Sequence, residues 1–514
     1  MGNLLPSYKK ALFEELVNSI SSNTSQYYAY ASNPKEYTGL VPETTKDIYS
    51  SNFENSWNMI FGKKITENDI MPVIKKNFWQ AGVVYDQYDN NSETMLDDNN
   101  YYVITQPELV GGDYYVYKCI GNAGGNISTV DPQSGSTNKI GNFITEPDKY
   151  VWRYVTTISS AIYNKFATSD YVPVYPDTTV STSAGNNSGI DAVLVVNSGI
   201  GYTTYDSGLV QQVTNSTTVR IGSPITSNTP GFYTGCSVYF YGTNLPGVLK
   251  TISQYVSNSS GNWVITSNAF SLSEVVALTS NYIISPKINF ETDAITIPEA
   301  YSVVDPSSNT ISSIVVINNG SNVSWANATV QTTIYGTGAT LQTVVSPPGG
   351  HSGNPEVELN MQGYCVSFSF NNNESDTIVS NTAYNKIGII KNPYSINAVT
   401  GSKTTRYSAN TFSSVVKASV SHTFNKGEIV KGATSGALGT VVFANSSQVF
   451  LVGDKDFANG EFLSNTTSLG VTAMNITTRG NIYTKDVIPL YVQNINNVDR
   501  QPNQSESFKI IIKL

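Results

Sequence analysis

The chain has 514 residues and a mass of 55.7 kDa, so we expect several compact units rather than one domain of roughly 100–200 residues. Only 13% of the residues are charged and 39% are hydrophobic, which excludes a disordered chain. The net charge of −9 and the pI near 4.9 argue against a nucleic-acid partner, because phosphate binding needs a concentrated basic surface. A protein partner is expected instead.

The N-terminal segment contains two predicted helices with a strand between them. Apolar residues recur at helical spacing over 8–20, and a second helical pattern runs from Lys46 to Phe61. Residues 27–32 alternate like a strand. The segment lacks the apolar core of a secretory signal, and no apolar run of membrane-spanning length follows, so we expect a protein made in the cytosol with no membrane partner.

The rest of the chain has the composition of short strands joined by turns. The 33 tyrosines, together with Val, Ile and Thr, suit pleated surfaces, while the 39 glycines and many Asn and Ser residues suit turns. The prediction is a mainly β, multi-domain protein of β-sandwich or barrel-like modules, with the two short N-terminal helices and β insertions. The three distant cysteines, Cys119, Cys236 and Cys365, are expected to be reduced core residues.

Shifts in composition predict the order of domains. Near residue 178 the sequence turns to small polar residues, which is typical of the entry to an inserted module. The predicted ranges are 1–178 (helices and a β-sandwich frame), 179–345 (an inserted β module), 346–400 (return to the frame), 401–482 (a second small β insertion) and 483–514 (C-terminal strands that complete the frame).

Two pairs of segments are similar to each other within the predicted insertions. Residues 190–202 and 311–323 both read as a strand followed by an Asn-x-Gly turn, which fits either an internal duplication or convergent strand-turn patterns. Residues 424–432 and 457–465 form a second, local repeat with the character of hairpins.

No sequence pattern predicts catalysis or a bound cofactor. The two histidines, His351 and His422, stand in unrelated settings, without the spacing of a metal site or of a nucleophile and its base. The glycine-rich residues 121–126 lack the ending of a phosphate loop and predict a turn. Residues 453–461 suggest a calcium loop, but the glycine is misplaced, so a hairpin turn is favoured. We therefore expect no enzyme, no catalytic, cofactor or metal residues and no small-molecule substrate.

Large aromatic side chains are the candidate binding residues. In strand patterns their usual role is packing, so we interpret them as anchors of the core or of a subunit interface, although exposed aromatics also suit a sugar-binding protein. The candidates are Trp57, Trp79, Trp152, Tyr154 and Tyr491.

Six segments in order resemble a known viral family. They are NDIMPVIKKNFW, VYKCIG, PDKYVWRYVTTI, DYVPVYP, KIGIIKNP and PLYVQNINNVDRQPNQSESFKIIIKL. The chain in this respect is similar to the baseplate wedge subunit, gene product eight, of T-even-like contractile-tailed bacteriophages. The resemblance covers residues 1–178, 346–400 and 483–514, whereas 179–345 and 401–482 depart from it.

The resemblance implies a structural virion protein of the tail baseplate. Members of that family are β-sandwich-based homodimers that contact other wedge subunits, and no catalytic residue is carried over from them. The implied function is to bridge neighbouring wedge proteins and to move as a rigid body during tail contraction. The alternative is a receptor-binding or glycan-degrading tail protein that acts through the β insertions.

Overall fold

The computed structural model describes residues 4–35, 39, 42, 54, 56–90, 92, 95–132, 143–181, 188–222, 227–243, 245–331, 336–371, 374, 377–453, 456–465, 472–487 and 489–514. The chain is mostly β with multiple sheets, some of them barrel-like, which confirms the predicted fold class. The helices whose bounds are described are α1 (Pro6–Ser21), α2 (Met95–Asp98), α3 (Ser160–Phe166), α4 (Thr178–Ser181) and α5 (Pro355–Glu358), with a 3₁₀ turn at Glu67–Asp69. Among the described residues, no helix combines the length and the apolar character needed to cross a membrane.

Residue contacts divide the chain into two units that are discontinuous in sequence. Unit 1 comprises Met1–Val73, Asn164–Pro173 and Met361–Leu514, and unit 2 comprises Ile74–Tyr163 and Val174–Asn360. The domain ranges predicted from composition have other boundaries and stay a prediction.

The described residues of unit 1 form four sheets. The five-stranded sheet has the order β25 (Thr411–Ser413), β2 (Met59–Ile65), β1 (Tyr27–Ser32), β22 (Thr382–Lys391), β34 (Pro489–Arg500). The four-stranded sheet has the order β35 (Glu506–Lys513), β21 (Gly363–Phe370), β3 (Ile70–Lys75), β8 (Tyr171–Pro173). A three-stranded sheet has the order β24 (Lys403–Arg406), β23 (Tyr394–Ile396), β33 (Ile482–Tyr483). The seven-stranded sheet has the order β31 (Thr472–Ala473), β30 (Phe462–Asn465), β27 (Ile429–Gly432), β28 (Leu438–Ala444), β29 (Gln448–Gly453), β26 (Val416–Ser419), β32 (Asn475–Thr478).

Strand β1 forms the centre of the five-stranded sheet because both of its faces are apolar. Tyr28 and Tyr30 join one buried cluster, and the alternating alanines join another, on which the apolar side of α1 packs. Glycines make room for aromatic rings here. A Cβ at Gly62 would lie 2.3 Å from the ring of Phe412, and one at Gly388 would lie 2.6 Å from the ring of Tyr30. Each ring therefore needs a glycine beneath it.

In unit 2 the part of the chain that the structure describes forms a closed barrel and four further sheets. The barrel has the order β10 (Asp206–Asn215), β11 (Thr218–Ile221), β14 (Gly261–Thr266), β13 (Leu245–Asn258), β12 (Ser237–Gly242), β15 (Asn281–Ser285). The three strand pairs are β16 (Ile288–Thr292) with β19 (Ala326–Val330), β17 (Glu299–Asp305) with β18 (Thr310–Asn318), and β20 (Thr337–Val345) with β9 (Ile190–Ile200). The four-stranded sheet has the order β4 (Tyr102–Thr105), β5 (Tyr114–Asn122), β7 (Tyr150–Ile158), β6 (Phe143–Thr145).

The predicted local elements have mixed outcomes. Helix α1 and strand β1 confirm two of the N-terminal predictions, and the turn at 121–126 is confirmed with Gly124 and Gly125 at positive φ. Residues 46–53 and 55 of the second predicted helix lie outside the described residues, whereas residues 54, 56 and 57 are helical. Its predicted end at Phe61 is wrong, because Met59–Ile65 is strand β2. Met59, Ile60 and Phe61 are all fully buried, and three consecutive buried apolar residues suit a strand with two covered faces as well as a helix.

Candidate functional site

The most concentrated group of charged side chains in the described part of the chain lies inside unit 2. Lys118 lies in β5, Asp191 follows the first residue of β9, and Glu358 is the last residue of α5. His351 lies in the loop that precedes α5. Three separate parts of unit 2 thus contribute charge to one point.

Lys118 is the centre of this cluster. Its Nζ lies 2.9 Å from Asp191 Oδ2 and 2.6 Å from Glu358 Oε1, and the three side chains are at most 1% exposed. The ammonium also lies 4.0 Å from the ring centre of Tyr88, a cation–π contact that covers it from another side. Because the Lys118 side chain is fully buried, these contacts take the place of solvent around its charge.

The loop before α5 is shaped by left-handed residues. Gly349, Gly350 and Ser352 have φ of 90°, 84° and 57°, and the serine conformation is unfavourable for a residue with a side chain. The Ser352 amide donates to Glu358 Oε2 at 2.7 Å. This hydrogen bond folds the loop back on the helix and places His351 against the carboxylate.

His351 is held between two oxygen atoms. Nε2 lies 2.7 Å from the carbonyl oxygen of Tyr154, which can only accept, and Nδ1 lies 2.9 Å from Glu358 Oε1. Because the carbonyl oxygen can only accept, Nε2 is the nitrogen that donates to it, and Nδ1 faces the carboxylate of Glu358.

Asp191 is surrounded by donors besides Lys118. Arg153 lies 3.2 Å from Asp191 Oδ1 through Nη1 and also donates to the Asp191 carbonyl oxygen at 2.9 Å. The hydroxyl of Ser346, in the residue after β20, donates to the same carboxylate oxygen. Both oxygens of this buried carboxylate are thus paired.

These contacts fix the charge states of the cluster. Burial alone would raise the pKa of Glu358, but the attraction of Lys118 and His351 outweighs it and holds that pKa at about 2. The pKa of Asp191 is likewise lowered well below its usual range, because Lys118 and Arg153 outweigh burial. Burial acts to lower the pKa of Lys118, yet the two carboxylates raise it above its ordinary value. All three groups are charged at neutral pH.

The cluster has the donor types of a metal site but contains its own cation. Ligand atoms of Asp191, His351 and Glu358 lie within 4.8 Å of one another. A metal ion would need unprotonated imidazole nitrogen and carboxylate oxygens at about 2.0–2.2 Å. Lys118 already holds both carboxylates, and Nε2 of His351 is engaged as a donor to the Tyr154 carbonyl. The arrangement suits an ammonium better than a metal.

The same residues resemble a catalytic triad in their spacing. Ser352 Oγ lies 3.2 Å from His351 Nε2, and the other ring nitrogen faces Glu358. A general base must have a free lone pair on the nitrogen that faces the nucleophile. His351 Nε2 carries a proton that it donates to Tyr154, and Ser352 is fully buried. The arrangement therefore offers neither a base nor access for a substrate.

The structure places the predicted aromatic anchors in different settings. Trp152 and Tyr154 are in the core of unit 2, where the carbonyl of Tyr154 accepts from His351. Trp79 is half-buried beside that core, and its Nε1 donates to Ser128 Oγ at 3.0 Å. In unit 1, Trp57 is half-buried, and Tyr491 lines an apolar cavity. Only Tyr154 touches the charge cluster.

Sequence spacing indicated no partner for His351, whereas the structure places two carboxylates beside it. Its partners Asp191 and Glu358 come from β9 and α5, and sequence spacing alone did not reveal them. Lys118, Asp191 and Glu358 were missed. The available signal was a charge inside an apolar strand, in YYVYKCIG and IDAVLVV, because such charges are rarely buried unless they are paired.

Two other charged patterns have plain structural roles. In the suspected calcium loop, Glu461 accepts from the amides of Thr434, Ser435 and Ala458, so its carboxylate holds a turn. Residues 454–455 of that loop lie outside the described residues. His422 packs edge-on against Phe424, at 4.8 Å between ring centres.

Comparison with known proteins gives no family assignment. No protein-family model matches the chain, and a search of curated protein sequences finds no significant match.

Proposed function

We propose that this chain is a structural subunit of a contractile-tail baseplate wedge, which bridges neighbouring wedge proteins and moves as a rigid body during contraction. The observation that carries the proposal is the closed state of the charge cluster. Lys118, Asp191 and Glu358 form ion pairs with one another inside unit 2, where they are buried and no substrate reaches them. Such a cluster stabilises a particular fold and offers no chemistry to a ligand.

Two further features support a mechanical role. The fold consists of many short antiparallel strands with separate buried cores, an arrangement that lets packed bodies move without deforming internally. The six quoted segments occur in the same order as in the wedge subunit family, and this resemblance is the reason for proposing the baseplate wedge as the assembly. On this proposal the protein is a homodimer in the virion tail, with other wedge subunits as its partners.

Imaging of the intact particle tests the proposal directly. Tail particles purified from infected cells should contain this chain at the distal plate, in twelve copies for a dimer per wedge or six for a monomer. Density for the chain on a tail fibre or in the capsid, or its absence from purified tails, would contradict a wedge subunit.

The isolated chain provides a second test. Light scattering at micromolar concentration should give twice the 55.7 kDa chain mass. A strictly monomeric protein would contradict the dimer. Incubation with host surface polysaccharides should release no oligosaccharide and show no saturable binding, whereas turnover or binding would favour the receptor-binding or glycan-degrading alternative.

A further inference from the structure

Unit 1 contains an apolar cavity that is open at the surface. Its volume is about 140 Å³, and aliphatic residues and tyrosines line it. Helix α1 contributes Leu16 and Ile20, β21 contributes Val366, and β22 contributes Ile389. An apolar cavity of about 150 Å³ stays dry and can hold benzene, so this one has room for one large apolar side chain.

A strand edge lies beside the cavity. Leu490 and Tyr491 of β34 line it, and β34 is the last strand of the five-stranded sheet in the described part of the chain. Tyr491 pairs with Ile389, so both side chains lie on the cavity face. A residue of an added strand that paired with Tyr491 would point its side chain to the same face.

One positive charge lies on this face next to the cavity. Tyr27 pairs with Ile65 on one side and with Lys391 on the other, so the three side chains form one row across the sheet. Ile65 and Tyr27 both line the cavity. The Nζ of Lys391 lies 5.4 Å from the ring centre of Tyr27, and no described carboxylate pairs with it. This row is next to the row of Ile389 and Tyr491, although the pairing of β22 with β34 shifts register between Ile389 and Ile390. On a straight added strand, which β34 separates from Lys391, the row is therefore about two residues from the anchor.

We propose that the cavity and the edge of β34 receive an extended segment of a neighbouring protein. The segment inserts one Leu, Ile, Met or Phe side chain into the cavity and places a carboxylate, two residues away, against Lys391. The size of the cavity selects the anchor, the strand edge holds the backbone, and the lysine selects the acidic neighbour. The inference deepens the proposed function, on which it rests in one respect: the neighbouring protein is another subunit of the assembly.

Synthetic peptides test the site on the full-length chain. The probe is fluorescein-labelled Glu-Thr-Leu-Thr-Glu, which has an acid two residues from the anchor in either strand direction. Fluorescence anisotropy should show saturable binding that is about tenfold or more tighter than for Glu-Thr-Ala-Thr-Glu, since the alanine leaves the cavity empty. Lys-Thr-Leu-Thr-Lys should bind about tenfold more weakly than the acidic peptide.

Three variants locate the contact. Leu490→Arg places a charge at the cavity, where Leu490 is 58% exposed, and should weaken the acidic peptide about tenfold or more. Lys391→Glu should reverse the preference, so that the lysine peptide binds better than the acidic one. Val399→Arg, at a position in unit 1 that is 85% exposed and does not line the cavity, is the matched control and should bind like the wild type.

Several results would overturn the inference. They are equal affinity for the leucine and alanine peptides, no saturable binding up to millimolar peptide, and equal loss in all three variants. Uptake of xenon or benzene without discrimination among the peptides would assign the cavity to a small apolar ligand instead. The assay does not involve tail particles, so a chain that binds the peptide but is absent from tails would contradict the proposed function alone.

Discussion

Two buried ion pairs, one in each unit, differ in how fully their hydrogen bonds are satisfied. In unit 2, Lys118 has two carboxylates and an aromatic ring as partners. In unit 1, Arg500 is also fully buried and donates to Glu506 at 2.8 Å. Arg500 Nε and Glu506 Oε1, however, find no hydrogen-bond partner among the described residues. The second pair is therefore buried, but not all of its polar atoms are hydrogen-bonded.

The difference appears in the pKa values. Burial raises the pKa of Glu506, and the attraction of Arg500 does not outweigh it. For Glu358 the same competition ends the other way, with a pKa of about 2. Burial acts in the same direction on both carboxyls, so the number and placement of the cationic partners decide which one is held ionised. The unit 2 cluster should therefore be the more important of the two for stability.

The largest effect is expected from Lys118→Met. The substitution leaves Asp191 and Glu358 buried without their shared cation, which should lower the free energy of unfolding by about 3–5 kcal/mol. Denaturant unfolding, followed by hydrogen exchange in peptides of β5 and β9, measures the loss within unit 2. Lys75→Met, at an exposed lysine of unit 2, should behave like the wild type. A loss as small as that of the control would contradict the assigned role of Lys118.

The next effect is the response to acid. The pKa values of Asp191 and Glu358 are lowered in the folded chain, so their stabilisation is complete above the unfolded values near 4 and is lost as pH falls toward about 2. Glu506, with a raised pKa, contributes in the opposite direction. For Glu358 alone the loss should be on the order of 2–3 kcal/mol.

Glu358→Gln isolates this acid response. Free energies of unfolding measured at pH 6, 4 and 3 should converge for the wild type and the variant as the pH falls, because the wild-type carboxyl loses its advantage. Parallel curves would mean that Glu358 does not carry the acid dependence.

A smaller effect is expected from Arg500→Met. It removes the hydrogen bond to Glu506, whose carboxyl already tends toward the neutral form, so the loss should be about 1–3 kcal/mol. Hydrogen exchange in β34 and β35 reports on unit 1. A cost equal to that of Lys118→Met would remove the distinction between the two pairs.

The smallest effect is expected from Ser346→Ala. Arg153 still contacts the same oxygen of Asp191, so losing the serine hydroxyl should cost only about 0.5–1.5 kcal/mol. Ser253→Ala, at an exposed serine of unit 2, is the matched control. A loss comparable to that of Lys118→Met would show that the contacts around Asp191 are not redundant.

The local elements of this protein were predictable to different degrees. Strand β1 and helix α1 have periodic patterns that determine their type, and the glycines at 124 and 125 make a turn there almost obligatory. The end of the second helix was not predictable, since Ile60 and Phe61 are apolar neighbours in either structure. The closed barrel in 206–285 depends on strand pairing, which local patterns do not encode.

The charge cluster could not be assembled from the sequence. Lys118 and Asp191 were visible as charges within apolar strands, which predicts a buried partner but does not name it. Glu358 lies 240 positions from Lys118, and only the fold brings them together. His351 shows the same limit, because its role depends on the Tyr154 carbonyl, a group present in every residue.

The division of unit 1 among three stretches of chain has a consequence for biosynthesis. Both stretches of unit 2 are synthesised before residues 361–514. Unit 2 can therefore complete its fold while unit 1 still lacks β22, β34 and β35. At about 5–20 residues per second, the remaining stretch takes roughly 10–30 seconds to appear. During that time α1, β1 and β2 have been made, but β22 and the other C-terminal strands that complete their sheet and core are incomplete. Nascent chains stalled near residue 400 should therefore bind chaperones through this N-terminal segment.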